Sequence, residues 1–457
     1  MGYHAATGDL CHQLDRLHKQ HGEIIRFGPN TLSFVTVEAL EAIYGFHCNT
    51  QKSQFYSHFD LDAQNKSTMS EINKVNHARK RRIVAQGLTS TSMKHLTPKI
   101  ITCIDTLTRN LAKSSALLDN KGWTEPKDMG DWTNWFTADV MGSIVFSRNF
   151  DLMNTPTLRW LSESMPRAIR LRCAAGLLPL LKLLPLDSSL RQLLAFTTEA
   201  INTREASRDD PKLHDLFGAI LHATDPQTGT KYRLEELSSE AGLLIVAGGD
   251  TTSSALAATF YYLTQPSSAH ILTRLQNEIR AAFPTYESIL PPYTTDLPLL
   301  RAVLDESMRL APPASGALLR EVLPGGIDVG GTHIPAGVDV AVLNLGIMRN
   351  ETYFPDALSF NPDRWLQDKT TLAYKKASAA FCPFTIGARG CIGRNIAYVE
   401  MSTVVARVLW ALDMRRVEGS VKGVGEDGLY AIMDSFVMQK EGPDLQFRVR
   451  DGAVLPW

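Results

Sequence analysis

Apolar positions recur every three to four residues through most of the chain, so the pattern predicts a mainly helical protein. Near the start, Leu10, Leu14 and Leu17 share one face of a helix predicted over residues 9–21. Residues 24–37, IIRFGPNTLSFVTV, alternate apolar and polar around Gly-Pro-Asn and predict a short hairpin. From residue 91 to residue 282 nearly every long stretch has helical period, interrupted by loops at 121–127, 209–212 and 225–230. Between 320 and 345 the texture changes to β-prone runs separated by Gly and Pro, which predicts small antiparallel sheets. A Pro- and aromatic-rich stretch over 353–384 then leads to the last strong helix, 394–412, and a β-like tail. No repeat, low-complexity tract or linker divides the chain. The expectation is one large domain over residues 1–457, mainly α with a minor β part (α+β).

Composition narrows this only a little. A hydrophobic fraction of 44% with 21% charged residues is that of a globular protein. A net charge of −1 gives no argument for a nucleic-acid partner. The six cysteines have no disulfide-framework spacing and no CxxC pair, which predicts reduced thiols in a cytosol-facing protein. The twelve histidines form no HExxH or HxxxH pair, so zinc has little support. The longest apolar run, 241–249, is ended by Asp250, well short of the roughly 18 residues of a membrane span. Residues 1–22 are polar. A soluble chain, or one lying on a membrane by a surface patch, is expected.

Candidate chemistry gathers just before the last helix, in Phe384-Thr-Ile-Gly-Ala-Arg-Gly-Cys391-Ile-Gly393. Gly387, Gly390 and Gly393 let the backbone turn sharply and approach something flat. Cys391 falls at a helix entrance, where free amide donors and the macrodipole lower a thiol's pKa. A thiolate there can bind iron and push electron density onto it, favouring O–O cleavage. Arg389 can pair with a carboxylate of the bound group. Taken alone, a cysteine beside a glycine-rich turn is more often a small buried hydrophobe. The whole string, however, resembles the haem-binding signature of the cytochrome P-450 superfamily, Phe-x-x-Gly-x-Arg-x-Cys-x-Gly. Phe384, Gly387, Arg389, Cys391 and Gly393 match it, and GRNIAYVEM continues the likeness. The resemblance implies haem b (iron protoporphyrin IX), with Cys391 as axial ligand and Phe384, Arg389 and Gly393 around it.

Residues 234–264 predict one helix of about 30 residues, roughly 45 Å long. Its middle is Ala247-Gly-Gly-Asp-Thr-Thr252. Gly248 and Gly249 together cost a helix about 1–2 kcal/mol relative to alanine, and Asp250 in an apolar stretch adds a desolvation cost. Such local conflict is where function is expected. The Thr251 hydroxyl is placed to reach the Ala247 carbonyl, which would loosen the helix and open a groove. An alcohol with an acid beside it can deliver protons to bound dioxygen. A helix contact lined with small residues explains the string equally well. The string resembles the superfamily's oxygen-activation motif, Ala/Gly-Gly-x-Asp/Glu-Thr-Thr/Ser. That implies Asp250 as the acid and Thr251 as the alcohol.

Two charge patterns extend the likeness. Glu306 and Arg309 share a helix face, a pairing worth little when exposed. With Arg364 in Phe360-Asn-Pro-Asp-Arg-Trp365 they are similar to the superfamily's Glu-x-x-Arg pair and its arginine partner, which implies a buried ion network. The string His77-Ala-Arg-Lys-Arg81-Arg82 is by itself a solvated basic helix face. The resemblance implies that His77 and Arg81 reach a haem propionate, with Arg320 at another. The other basic residues would form a docking face for an acidic redox partner.

The resemblance runs from about residue 16 past the last helix. It is greatest to fungal microsomal members of secondary metabolism, in DMGDWTNWFTADVMGSIVFSRNF and FNPDRW. It implies a monooxygenase that inserts one oxygen atom of O2 into a small apolar molecule, by hydroxylation or epoxidation. Electrons would come from NADPH through a separate NADPH–cytochrome reductase, with cytochrome b5 as a further partner, since 457 residues leave no room for a fused flavin domain. It also implies the cytosolic face of the endoplasmic reticulum membrane, although residues 1–22 carry no anchor. The alternatives are a haem-thiolate isomerase or dehydratase, and a haem sensor or carrier; neither needs Asp250 and Thr251. The family's layout puts the pocket walls at residues 52–71, 171–184, 314–318 and 434–436. The small string Pro313-Ala-Ser-Gly-Ala317 hints at a rigid polycyclic substrate.

Overall fold

Helices make up most of the chain, as the apolar spacing requires. The computed structural model describes residues 2–59, 64–113, 122–162, 164, 169–170, 188–208, 210 and 213–457. The expected pocket wall at 171–184 lies outside them, as does most of the loop at 209–212. The central helix runs over Leu234–Leu263, its first turn closed by the Glu236 carboxylate accepting the Arg233 backbone N–H at 3.1 Å. Every residue from Thr252 to Leu263 is buried, so its second half is surrounded on all sides. It packs against the helices Met129–Phe146, Pro298–Leu310 and Arg394–Ala411. By length and composition it could cross a membrane, but 67% of its most apolar window is buried inside the protein, as in a core helix. The expected loosening at Ala247–Thr252 is not seen. The helix continues unbroken there, and only the Thr251 hydroxyl shares the Ala247 carbonyl.

The hairpin predicted at 24–37 forms between Ile24–Gly28 and Thr31–Phe34, with Ile24 opposite Phe34 and a bulge before Gly28. It is one edge of a five-stranded sheet that continues through Asp339–Val342, Arg320–Val322 and Thr50–Lys52. Two expectations for the β-prone region that begins at 320 need correction. Thr31–Phe34 pairs parallel with Asp339–Val342, so the sheet is mixed rather than antiparallel. The end of the apolar run that follows is not strand but a short helix, Asn344–Met348. The C-terminal tail forms a second sheet, in which Asp444–Val449 pairs with Leu412–Arg416 and Lys127–Asp128.

The ion network forms between the helix Pro298–Leu310 and the Pro-rich segment. Glu306 and Arg309 are both 0% exposed. The Glu306 carboxylate accepts two bonds from Arg309 at 2.9 Å, one from Arg364 at 3.0 Å and one from the Trp365 indole N–H at 2.9 Å. Arg309 spends its remaining donors on the Met348, Ala357 and Ser359 carbonyls. Every Arg309 donor is engaged, so removing Glu306 strands a buried charge. Glu306→Ala is therefore expected to destabilise the fold by roughly 3–5 kcal/mol, read as a lower urea midpoint at unchanged slope. A midpoint within error of the parent would show that the network adds nothing.

Candidate functional site

The cysteine loop is held by its own backbone. The Cys391 N–H donates to the Phe384 carbonyl at 2.9 Å, and the Gly390 N–H to the Gly387 carbonyl at 3.0 Å. Gly387 has φ of +72°, and a Cβ there would land on the Tyr44 carbonyl, so only glycine fits. Phe384 packs on Tyr398, with ring centroids 5.2 Å apart. The loop closes one side of a cavity of about 330 Å³ whose lining is mostly apolar. Cys391, Gly393 and Phe384 line it from one side and Ala247, Gly248 and Thr251 from the central helix, with Arg320 and Arg389 also in its wall. The Thr251 hydroxyl donates to the Ala247 carbonyl at 2.7 Å, the bond expected from the spacing.

Other candidates lie outside this cavity. His77 and Arg81, on the helix Lys74–Gln86, line an adjoining cleft of about 280 Å³ that shares Arg320 and Arg389 with it. Asp250 is buried and turned away from the cavity toward Lys440, whose Nζ lies 3.6 Å from its carboxylate. Burial pushes the Asp250 carboxyl up and the Lys440 ammonium down, and each partly restores the charged form of the other. The basic patch is not the free docking face expected. Arg79 is bound to Glu236, Lys80 is buried between Glu71 and Glu236, and Arg82 is bound to Asp225. These ties join the patch to the start of the central helix.

Cys391 also departs from expectation. Its accessible surface is cavity surface, and burial pushes the thiol up by more than the Gly393 and Arg394 N–H groups and the Arg81 and Arg394 guanidiniums pull it down. The thiol keeps its proton unless a metal displaces it. Lys52 lies on the wall expected at 52–71, although its charge was not foreseen there, and Lys440 was missed. Lys52, buried, reaches the Met69 carbonyl and stands over the Tyr56 ring at 4.5 Å. Lys440 carried no signal, since its partner is far along the chain.

The walls suit a flat, apolar group with a doubly anionic edge. Lys52, Arg81, Arg320 and Arg389 converge on one end, and among the described residues none has a carboxylate within ion-pair distance. Burial lowers the Lys52 ammonium, and Arg320 and Arg389 beside it lower it further. His77, buried among Arg389, Lys52, Arg81 and Arg320, is pushed down to about 2 and stays neutral. Glu71 and Glu240 act on the cluster only from beyond ion-pair distance, so four converging cations still favour an anionic guest. The Thr385 hydroxyl, in the cavity wall, is buried without a hydrogen-bond partner among the described residues. Gly393 leaves its wall open; a Cβ there would meet only Ile396 at 3.6 Å and the Cys391 sulfur at 3.9 Å. The two propionates and planar ring of a haem match these demands.

A lone thiol facing an apolar slot with a cationic end defines a protein built to hold such a prosthetic group through sulfur. The family model described as "Cytochrome P450" matches residues 1–441, and the chain belongs to the cytochrome P450 family. It is 34% identical to "Cytochrome P450 monooxygenase apf7" of Gibberella fujikuroi, over 98% of this chain and 90% of that protein. It is 35% identical to "Cytochrome P450 monooxygenase poxM" of Penicillium oxalicum, over 99% and 88%. Against "Averantin hydroxylase" of Dothistroma septosporum the identity is 30%, over 89% and 76%. The chain is thus an oxidoreductase that incorporates oxygen, with haem b as cofactor, O2 as co-substrate and electrons supplied by a reductase.

Proposed function

We propose that this chain inserts one oxygen atom of O2 into a small apolar molecule, as a tailoring step in fungal secondary metabolism. The carrying observation is that one cavity is lined by both Cys391 and Thr251, with cations at one end. Cys391 would hold the iron through its sulfur, losing its proton on binding. Arg320, Arg389 and Arg81 would hold the propionates, joined by Lys52, with His77 as a neutral donor. Phe384 and Gly393 would shape the wall beside the sulfur. Bound there, haem supplies the one-electron and O2 chemistry. Thr251 hands a hydrogen bond to the oxygen-binding space once it leaves the Ala247 carbonyl, and Asp250 reloads it with a proton after release from Lys440. Apolar lining from Met141, Leu244, Ala314 and Leu318 selects an apolar substrate and excludes water. The finer partners are NADPH–cytochrome reductase and cytochrome b5, on the cytosolic face of the endoplasmic reticulum membrane.

The test is turnover under isotopically heavy O2, with reductase and NADPH present. Product should carry one heavy oxygen atom and should not form when O2 is strictly excluded. Product that forms without O2 would overturn the reading and point to an isomerase or dehydratase.

A further inference from the structure

The helix that follows Cys391 turns one stripe toward the cavity: Ile392, Gly393, Ile396, Ala397, Glu400 and Met401. Five of these are apolar or glycine; Glu400 is an acid. It is 3% exposed, and among the described residues no donor or cation lies within hydrogen-bond or ion-pair distance of its carboxyl. A buried carboxylate without a partner is costly, so such groups are kept for a use or held neutral. It stands six residues, about 9 Å of helical rise, beyond Arg394 and so on the order of 10–15 Å along the wall from Cys391. That is too far to touch the iron and near enough to act on it through the field.

We propose that Glu400 is a positioning residue that couples the electron taken up by the haem to a proton, binding that proton in the apolar wall of the cofactor cavity. The proposal rests on Cys391 as the axial ligand. In the balanced step, one electron comes from the reductase, and the proton that joins Glu400 in the fraction of molecules where it was ionised comes from solvent hydronium. Iron goes from ferric to ferrous and Glu400 from carboxylate to carboxylic acid; the O–H bond formed on Glu400 replaces one broken in the hydronium, which is left as water. An ionised Glu400 opposes the incoming electron, and a protonated one does not.

Supporting this, burial alone pushes the Glu400 carboxyl up to about 8, so it titrates in the working range of an enzyme. The groups on the elements around it do not compete. On the helix Ser90–Ala112, Glu400 acts on Cys103, a thiol that burial pushes up to about 12. Behind Cys103, Asp139 accepts the Leu152 and Met153 N–H groups, and burial still pushes its carboxyl up to about 6, so it is ionised over most of the range in which Glu400 titrates. Asp305 is taken by Tyr398 and Arg301, Arg280 by the Leu409 carbonyl and Asp413, and Asp250 by Lys440. On its own helix, Arg394 stacks over Phe384 and Arg407 binds Asp105. At an effective dielectric of about 20, one charge some 13 Å from another shifts its equilibrium roughly tenfold. For a one-electron couple a tenfold change is about 59 mV.

The experiment is spectroelectrochemical titration of the haem-loaded protein, parent and Glu400→Gln, from about pH 6 to about pH 9, the range that brackets the titration. The parent midpoint should fall as pH rises, by about 59 mV in all for a tenfold coupling. Glu400→Gln should be flat, at the parent's low-pH value. A parent that is flat, or a slope that survives in Glu400→Gln, overturns the proposal. If the variant does not hold haem, the parent alone decides. Its reduced-minus-oxidised infrared spectrum at mildly alkaline pH should gain a buried protonated-carboxyl band, with a matching proton uptake in unbuffered solution; absence of either overturns it. A parent without the thiolate-type red-shifted band of the reduced CO complex would instead fail the ligand assignment, whereas a normal band with a flat midpoint fails only Glu400.

Discussion

Cys391→Ala should abolish the thiolate-type red-shifted band of the reduced CO complex and bring product formation to background. The substitution removes one sulfur from a cavity wall, not from a packed core, so little burial is lost. The loop keeps its shape, because its ties are backbone bonds: Cys391 N–H to Phe384, Gly390 N–H to Gly387 and Thr385 N–H to Cys382. Haem is expected to enter still, held by the apolar walls and by Arg81, Arg320 and Arg389, but without the sulfur that pushes electron density to iron. Thermal stability of the haem-free variant should stay near that of the parent. The decisive measurement is the CO difference spectrum of the purified variant; a retained red-shifted band would mean that another group ligates the iron.

What the sequence made legible follows from distance along the chain. The cysteine loop was readable because its constraints are local. Gly387 must take a positive φ, and Cys391 must bond back to Phe384 seven residues earlier. Thr251 and the Ala247 carbonyl are one helical turn apart, so their bond could be anticipated. The basic patch was misjudged because its partners, Glu236 and Asp225, are more than a hundred residues away, and spacing cannot tell a solvated face from a paired one. The same limit hid the parallel pairing of Thr31–Phe34 with Asp339–Val342, since alternation predicts a strand but not its neighbour's direction. Asn344–Met348 was too short for its period to decide between helix and strand. The Cys391 acidity failed for another reason: dipole and amide donors were visible in the sequence, and the burial that outweighs them was not.

Asp250→Asn is the second large effect. Thr251 lines the cavity but commits its hydroxyl to Ala247, and Asp250 faces Lys440 rather than the cavity. A proton can pass between them only when both let go. Losing a positioned acid costs about 10²–10⁴-fold in a proton-dependent step, so product formation should fall by that much while substrate still binds. Electrons drawn from NADPH should be diverted to peroxide, as also expected for Thr251→Ala. The fold should survive, because Lys440, which burial already pushes toward neutrality, can shed its proton when its partner is lost. Lys440→Met separates the two roles. It keeps the acid but removes the cation that pulls the Asp250 carboxyl down, leaving burial alone to act. The carboxyl then rises further and stays protonated to higher pH, so the alkaline limb of product formation should move up in pH with no loss at its plateau. A Lys440→Met variant as slow as Asp250→Asn would make Lys440, not Asp250, the proton source.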